Sequence, residues 1–170
     1  IQIVEGVPCS TLIVRGNPSR IKRLLLCDSG SESAKSTRDF TARLADLLEG
    51  DEQITILHVM SQISAGPGIR GDQLRSDAEV LINAHSPEGE LLQRDIEELK
   101  HAGVYTDPKI RHGLVVDEML EEARNGDYDL VVIGAHIPIG WQNFLLDNIA
   151  RKIVTQIDRS ILIVKPSIGF

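Results

Sequence analysis

An α/β fold is what this sequence predicts: a five-stranded parallel sheet with helices on both faces, preceded by one extra strand. Three observations predict it. Five short apolar runs recur along the chain, stretches with helical spacing of apolar residues separate them, and turn residues mark most of the junctions. Strands that alternate with helices pair in parallel, because each crossover helix returns the chain to the same end of the sheet.

Leu24 to Cys27 is the first run, and the turn residues Asp28-Ser29-Gly30 end it. An amphipathic segment from about Ser33 to Leu48 follows. Phe40, Leu44, Leu47 and Leu48 fall at helical spacing there, and Gly50 is placed to stop the helix. Ile54 to Val59 reads as the second strand, and the loop after it holds Gly66, Pro67, Gly68 and Gly71. From Asp72 to Ala102 the pattern is helical, with Leu92, Ile96 and Leu99 on the apolar face and Gly103 at the end. Ile110 marks a short third strand, restricted by Pro108, which lacks a ladder donor. Val116, Leu120 and Ala123 define the next helix, closed by Asn125-Gly126. Leu130 to Ile133 is the fourth strand, and its unbroken apolar character suits a strand covered on both faces. Gly134 to Gly140 is a loop, about Gln142 to Gln156 is the last helix, and Ile161 to Val164 is the fifth strand.

Composition narrows the function classes. The 170 residues suit one domain with a sizeable core. A net charge of −7 argues against a nucleic-acid backbone as the main partner, since such binders carry a basic patch or stripe. The longest apolar runs are far too short to span a membrane. No signal-peptide pattern opens the chain, and Cys9 and Cys27 form no C-x-x-C pair, so a reduced, cytoplasmic setting is the expectation. The first residue is Ile1 rather than Met, and the expectation is a piece of something longer.

One run lies outside the strand–helix alternation. Leu12 to Val14 precedes the first strand, and a shift of 150 residues lays it on Leu162 to Val164. Ser10 then falls on Ser160 and Ile3-Val4 on Ile153-Val154, so that six of 14 positions match between Ile3–Gly16 and Ile153–Pro166. Residues 1–16 are therefore read as the tail strand of an upstream copy of the same domain, or as an unrelated N-terminal extension. In either case an open edge at Ile161–Val164 needs cover. The expectation is that Ser10–Val14 lies antiparallel to Ser160–Val164, within one chain or between the two chains of a homodimer.

Four segments carry a resemblance. They are Arg23-Leu24-Leu25-Leu26-Cys27-Asp28-Ser29-Gly30-Ser31, Ile56-Leu57-His58-Val59, Asp129-Leu130-Val131-Val132-Ile133-Gly134-Ala135-His136 and Ser160-Ile161-Leu162-Ile163-Val164-Lys165-Pro166. Their order and spacing resemble the universal stress protein family (UspA-like domain) over residues 21–166. The resemblance implies the adenine nucleotide α-hydrolase-like fold with strand order 3-2-1-4-5, and the C-terminal place in a tandem protein. It also implies a ligand crevice where the strand order reverses, at the carboxyl ends of strands 1 and 4.

Carried onto this chain, the resemblance implies a nucleotide-binding set of Asp28, Ser29, Val59, Gly134, Asn148 and Ile149. Asp28 would accept hydrogen bonds from the ligand, or would instead be a turn residue serving local amides. Val59 would meet the adenine edge through its backbone, or simply end the core of its strand. Gly134 would admit a phosphate or ribose close to the backbone, or serve a tight strand exit. The family signature continues G-x-x-G, nine residues, G-[ST]. This chain has Ile137 at the second glycine and Asp147-Asn148 at the final pair. A degenerate site follows, with ATP or AMP bound weakly.

Other chemistries have thin support. Ser29, Gly30, Ser31 and Ser33 resemble part of the phosphate loop of ATP pyrophosphatases, without the full pattern, and no G-x-x-x-x-G-K-[ST] occurs. His58, His85, His101, His112 and His136 show no metal-ligand pairing, and there is no G-x-S-x-G elbow. Trp141 is expected to pack. The reading is a stress-response regulatory and association module without catalysis. The alternatives are an ATP- or AMP-binding switch, with slow ATP hydrolysis at most, and a cytosolic regulatory domain of a transporter.

Overall fold

A computed structural model describes residues 7, 9–16, 20–28, 32–48, 52–60, 77–101, 103–135 and 148–165. The strands are β1 (Thr11–Ile13), β2 (Arg23–Asp28), β3 (Gln53–Met60), β4 (Tyr105–His112), β5 (Leu130–Gly134) and β6 (Ser160–Val164). The helices are α1 (Glu32–Leu47), α2 (Ala78–Asn83), α3 (Pro87–His101), α4 (Val115–Asn125) and α5 (Asn148–Gln156). The sheet order is β1-β6-β5-β2-β3-β4. All pairings are parallel except β1 with β6. Without β1 this is the order that the resemblance implies.

β2 sits at the centre because it is apolar on both faces. Leu24, Leu25 and Leu26 are all fully buried. Pleating sends Leu24 and Leu26 to one layer and Leu25 and Cys27 to the other. The first layer holds Ala45 of α1, with Leu92 and Leu99 of α3. The second holds Leu120 and Ala123 of α4, with Ala150, Ile153 and Val154 of α5. At about 1.5–3 kcal/mol per fully buried large apolar side chain, these two layers supply most of the force that holds the sheet.

Three expectations are corrected. The third strand is not a short piece around Ile110 but eight residues, Tyr105–His112. Pro108 is accommodated opposite Ile56 because β4 is the sheet's edge, where a missing donor costs no ladder bond on the open side. The helical region from Asp72 to Ala102 is, within the described residues, two helices. His85 takes φ 50 and turns the chain between them. The Ser86 hydroxyl then donates to the Leu81 carbonyl (3.2 Å) and accepts from the Gly89 amide (3.0 Å), which caps α3 with Pro87 at its first position. Lastly, α1 does not bury the face marked by Phe40 and Leu47. Leu47 is 81% exposed, while Thr37, Arg38, Thr41 and Ala45 point inward.

Candidate functional site

The crevice is a product of crossover direction. From the end of β2 the chain leaves into α1, on the layer with Ala45. From the end of the adjacent β5 it leaves into α5, on the opposite layer with Ala150. Adjacent strands whose connections depart to opposite faces leave a cleft at their carboxyl ends. Asp28 and Gly134 stand at its two lips. β3 runs on beyond the last β2 pairing, Asp28 with His58, so that Val59 and Met60 extend past β2.

Asp28 faces inward. Its side chain is 1% exposed and accepts a 2.9 Å hydrogen bond from Arg38 Nη1. The same nitrogen lies 3.1 Å from Asp95 of α3, and Arg38 Nε donates to Glu98 at 2.8 Å. Three carboxylates thus surround one buried guanidinium. Burial alone would lower the Arg38 pKa, yet the bonds to Asp28 and Glu98 outweigh it and raise the pKa above its usual value. Asp95 goes the other way. Burial, reinforced by the Asp28 charge, pushes its carboxyl up to about 7. Burial also lowers the His58 pKa, although the Asp28 charge and a hydrogen bond to the Asp28 backbone oppose the change. Cys27, fully buried beside Asp28, has its thiol pKa raised by burial, which keeps it from acting as a nucleophile.

Gly134 is exposed, and the space a Cβ would fill is taken from the α1 side. A Cβ there would stand 2.7 Å from Thr37 Oγ1. The absence of a side chain lets α1 press against the end of β5. Val59 is half-buried against the α4–α5 layer. Asn148 and Ile149 are the first two residues of α5, whose N-terminus lies at the crevice end of the sheet because the helix follows β5 and precedes β6. Ser29, Ile137, Trp141 and Asp147 lie outside the described residues.

The structure therefore brings Asp28, Val59 and Gly134 to one end of the sheet. Sequence reading missed Thr37, Arg38, Asp95 and Glu98, which build the floor beneath them. The available signal was Arg38 at helical spacing from Thr41 and Ala45, a charge inside the small-residue stripe. Another buried acid lies away from this cluster. Glu122 of α4 accepts hydrogen bonds from Lys109 (2.8 Å), Arg111 (3.1 Å) and the Tyr128 hydroxyl (2.8 Å). Burial would raise its pKa, and these donors overcome that and lower it. Those partners neutralise it, and it joins the edge strand β4 to α4. Among the described residues no group of three or more His, Cys, Asp or Glu is placed to hold a metal, and no helix is long and apolar enough to cross a membrane.

Parallel strands wound both ways from a central strand, with a crevice where the direction changes, define a doubly wound α/β domain. The chain belongs to the universal stress protein family, whose family model matches residues 20–165. No curated protein matches it by sequence. Among solved structures it is similar to a universal stress protein in complex with cAMP, at 19% identity and TM-score 0.61, over 88% of this chain and 100% of that one. It is similar to the universal stress protein from Archaeoglobus fulgidus in complex with dAMP, at 18% identity and TM-score 0.56, over 85% of this chain and 98% of that one. It is also similar to the functionally unknown protein PA1789 from Pseudomonas aeruginosa PAO1, at 15% identity and TM-score 0.67, over 97% of this chain and 55% of that one.

Proposed function

We propose that this domain is a regulatory module of the stress response that takes an adenine nucleoside monophosphate at the β2–β5 crevice and acts by association, without catalysis. The observation that carries the reading is the crevice itself, with Gly134 on one lip and Val59 reaching past the end of β2. Similar folds solved with cAMP and dAMP support the ligand class.

The residues divide the work. The Val59 backbone reads the adenine edge, and the backbone at Gly134 approaches the ribose. Asn148 and Ile149, at the crevice end of α5, meet the phosphate. Asp28 is engaged by Arg38, so any hydrogen bond from the ligand to its carboxylate competes with that guanidinium. Ile137 and Asp147 stand where the family signature has glycines, which disfavours a triphosphate.

Calorimetry with adenosine, AMP, cAMP and ATP, with and without magnesium, tests this. AMP or cAMP should bind more tightly than ATP, and no phosphate should be released from ATP. If no adenine compound binds, or if ATP binds tightest and is hydrolysed, the proposal fails.

A further inference from the structure

The arginines of this chain fall into two groups. In the first, carboxylates answer the charge. Arg38 lies among Asp28, Asp95 and Glu98, Arg111 meets Glu118, Glu121 and Glu122, and Arg23 lies against Asp127. In the second, the acceptors are neutral. Arg15 Nη2 donates to the Val154 carbonyl at 2.8 Å, and Arg124 Nη2 to the Gln156 carbonyl at 3.5 Å. Arg159 donates to the carbonyls of Tyr128 (2.8 Å) and Arg124 (3.2 Å). A carbonyl fixes a guanidinium without cancelling its charge.

Val154 and Gln156 belong to the last turn of α5, and Arg124 to the last turn of α4. Three guanidinium groups therefore gather at one end of this helix pair, although they come from the segment after β1, from α4 and from the turn before β6. The exposed side of α5 adds Lys152 beside Arg151, and the helix itself contains no carboxylate. Asp158, 3.7 Å from Arg159 Nε and with its side chain 64% exposed, is the acid beside the group. Arg15, Arg124 and Lys152 make no ion pair with any described residue. Each helix end contributes about half a negative charge. Against those ends and Asp158, the cations Arg15, Arg124, Lys152 and Arg159 leave a net positive surface on a chain whose net charge is −7.

From this segregation of charge we infer that the C-terminal end of α5 is a docking surface for an acidic segment of a partner protein, a stretch rich in aspartate and glutamate side chains. The guanidinium groups are already held in place, so little further ordering is needed. Their remaining N–H groups suit the paired oxygens of a carboxylate. A membrane fits the surface less well. α5 buries Ala150, Ile153 and Val154 and exposes Arg151, Lys152, Thr155 and Gln156, which leaves no apolar face to insert. A nucleic-acid backbone would bring its dense charge against the acidic remainder of the chain, whereas a short peptide segment touches this end alone. The inference does not depend on what the crevice holds.

Fluorescence anisotropy of a labelled polyglutamate peptide with the whole chain tests it. The parent should bind the peptide at low salt, and physiological salt should weaken the complex, since exposed charges are then screened over about 8 Å. A glycine-serine peptide of equal length should not bind. Arg124→Gln with Lys152→Gln should weaken binding about tenfold, as the loss of two exposed ion pairs would. Lys35→Gln with Arg43→Gln removes the same charge from α1, on the opposite face of the sheet, and should change binding by less than about twofold. Should the first double variant fail to fold, Thr155→Glu sets a carboxylate beside Lys152 at an exposed position and should weaken binding in its place. No binding by the folded parent at low salt overturns the inference. Equal weakening by the α1 pair, or a Thr155→Glu chain that binds as tightly as the parent, also overturns it. Tighter binding of a single-stranded thymidine oligonucleotide or of phosphatidylserine vesicles than of the peptide does so as well, because it assigns the surface to another class of partner.

Discussion

At the residue scale the unusual group is Asp95, a carboxyl whose pKa is raised from 3.8 to about 7 by burial and by the Asp28 charge. The folded state holds its proton where the unfolded state has already lost it. Stability from this group is therefore complete below the unfolded value and is lost as pH rises through the window from 3.8 to about 7. His58 works against this slope. Its lowered pKa means that folding releases its proton, so its contribution grows as pH rises toward 6.5 and is complete above that. Asp95→Asn keeps an oxygen to accept from Arg38 and removes the titration. Urea unfolding at pH 5 and pH 8 should show the parent losing more stability between the two than the variant. A variant with the parent's slope would assign that slope to other groups. A second residue-scale prediction concerns Gly134. A methyl there meets Thr37 Oγ1 at 2.7 Å, so Gly134→Ala should cost about 1–3 kcal/mol as an overpacking change. Thr37→Ala in the same chain should recover part of that loss. If the two losses simply add in a double-mutant cycle, the contact does not matter.

At the scale of elements, the α2–α3 junction is where small changes should cost most. A Cβ on Gly89 would stand 2.1 Å from the Leu81 carbonyl oxygen, a backbone atom that cannot rotate away. Gly89→Ala should therefore separate the two helices and lower stability by about 3 kcal/mol, at the upper end of the overpacking range. Ser86→Ala removes only the cap and should cost about 0.5–2 kcal/mol. Thermal unfolding of the two variants should rank them in that order, and the reverse ranking would contradict the packing account. The same junction shows where sequence reading runs out. Strand positions were legible because Leu24–Cys27, Leu130–Ile133 and Ile161–Val164 are buried on both faces and leave unbroken apolar runs. The break at His85–Ser86 was not, because apolar spacing continues across it and the turn depends on one positive φ and one serine hydroxyl. β4 was under-read because Pro108 argues against a strand in general, and only its place at the sheet's edge removes the objection. The inward face of α1 was misassigned because its stripe is polar. Arg38 is buried only because Asp28, Asp95 and Glu98 meet it from β2 and α3.

At the scale of the whole molecule, strand order was legible only through the family resemblance, since alternation yields parallel pairing but not the sequence of neighbours. The positions of Asp28, Val59 and Gly134 follow from that order. The carboxylate cluster beneath them comes from three separate elements and leaves no linear motif. The prediction at this scale concerns what the crevice accepts. A ligand that binds only the folded state stabilises it by RT ln(1 + [L]/Kd), about 2.7 kcal/mol at a hundredfold excess over Kd. For a domain of this size each kcal/mol moves Tm by about 2–4 °C, so saturating AMP should raise it by about 5–11 °C. ATP should do less at equal concentration. Glycines in phosphate loops let backbone amides close on the anion, and this chain has Ile137 and Asp147 at those positions. A carboxylate about 4 Å from a phosphate charge costs about 1 kcal/mol in water and about 4 at an effective dielectric near 20. Since about 1.4 kcal/mol is tenfold in affinity, Asp147 alone could weaken ATP by a factor between about five and several hundred, with magnesium offsetting part. Ile137→Gly with Asp147→Gly and Asn148→Ser should then enlarge the ATP shift by more than the AMP shift. An ATP shift already equal to that of AMP in the parent, or one unmoved by the triple substitution, would refute the account of the phosphate end.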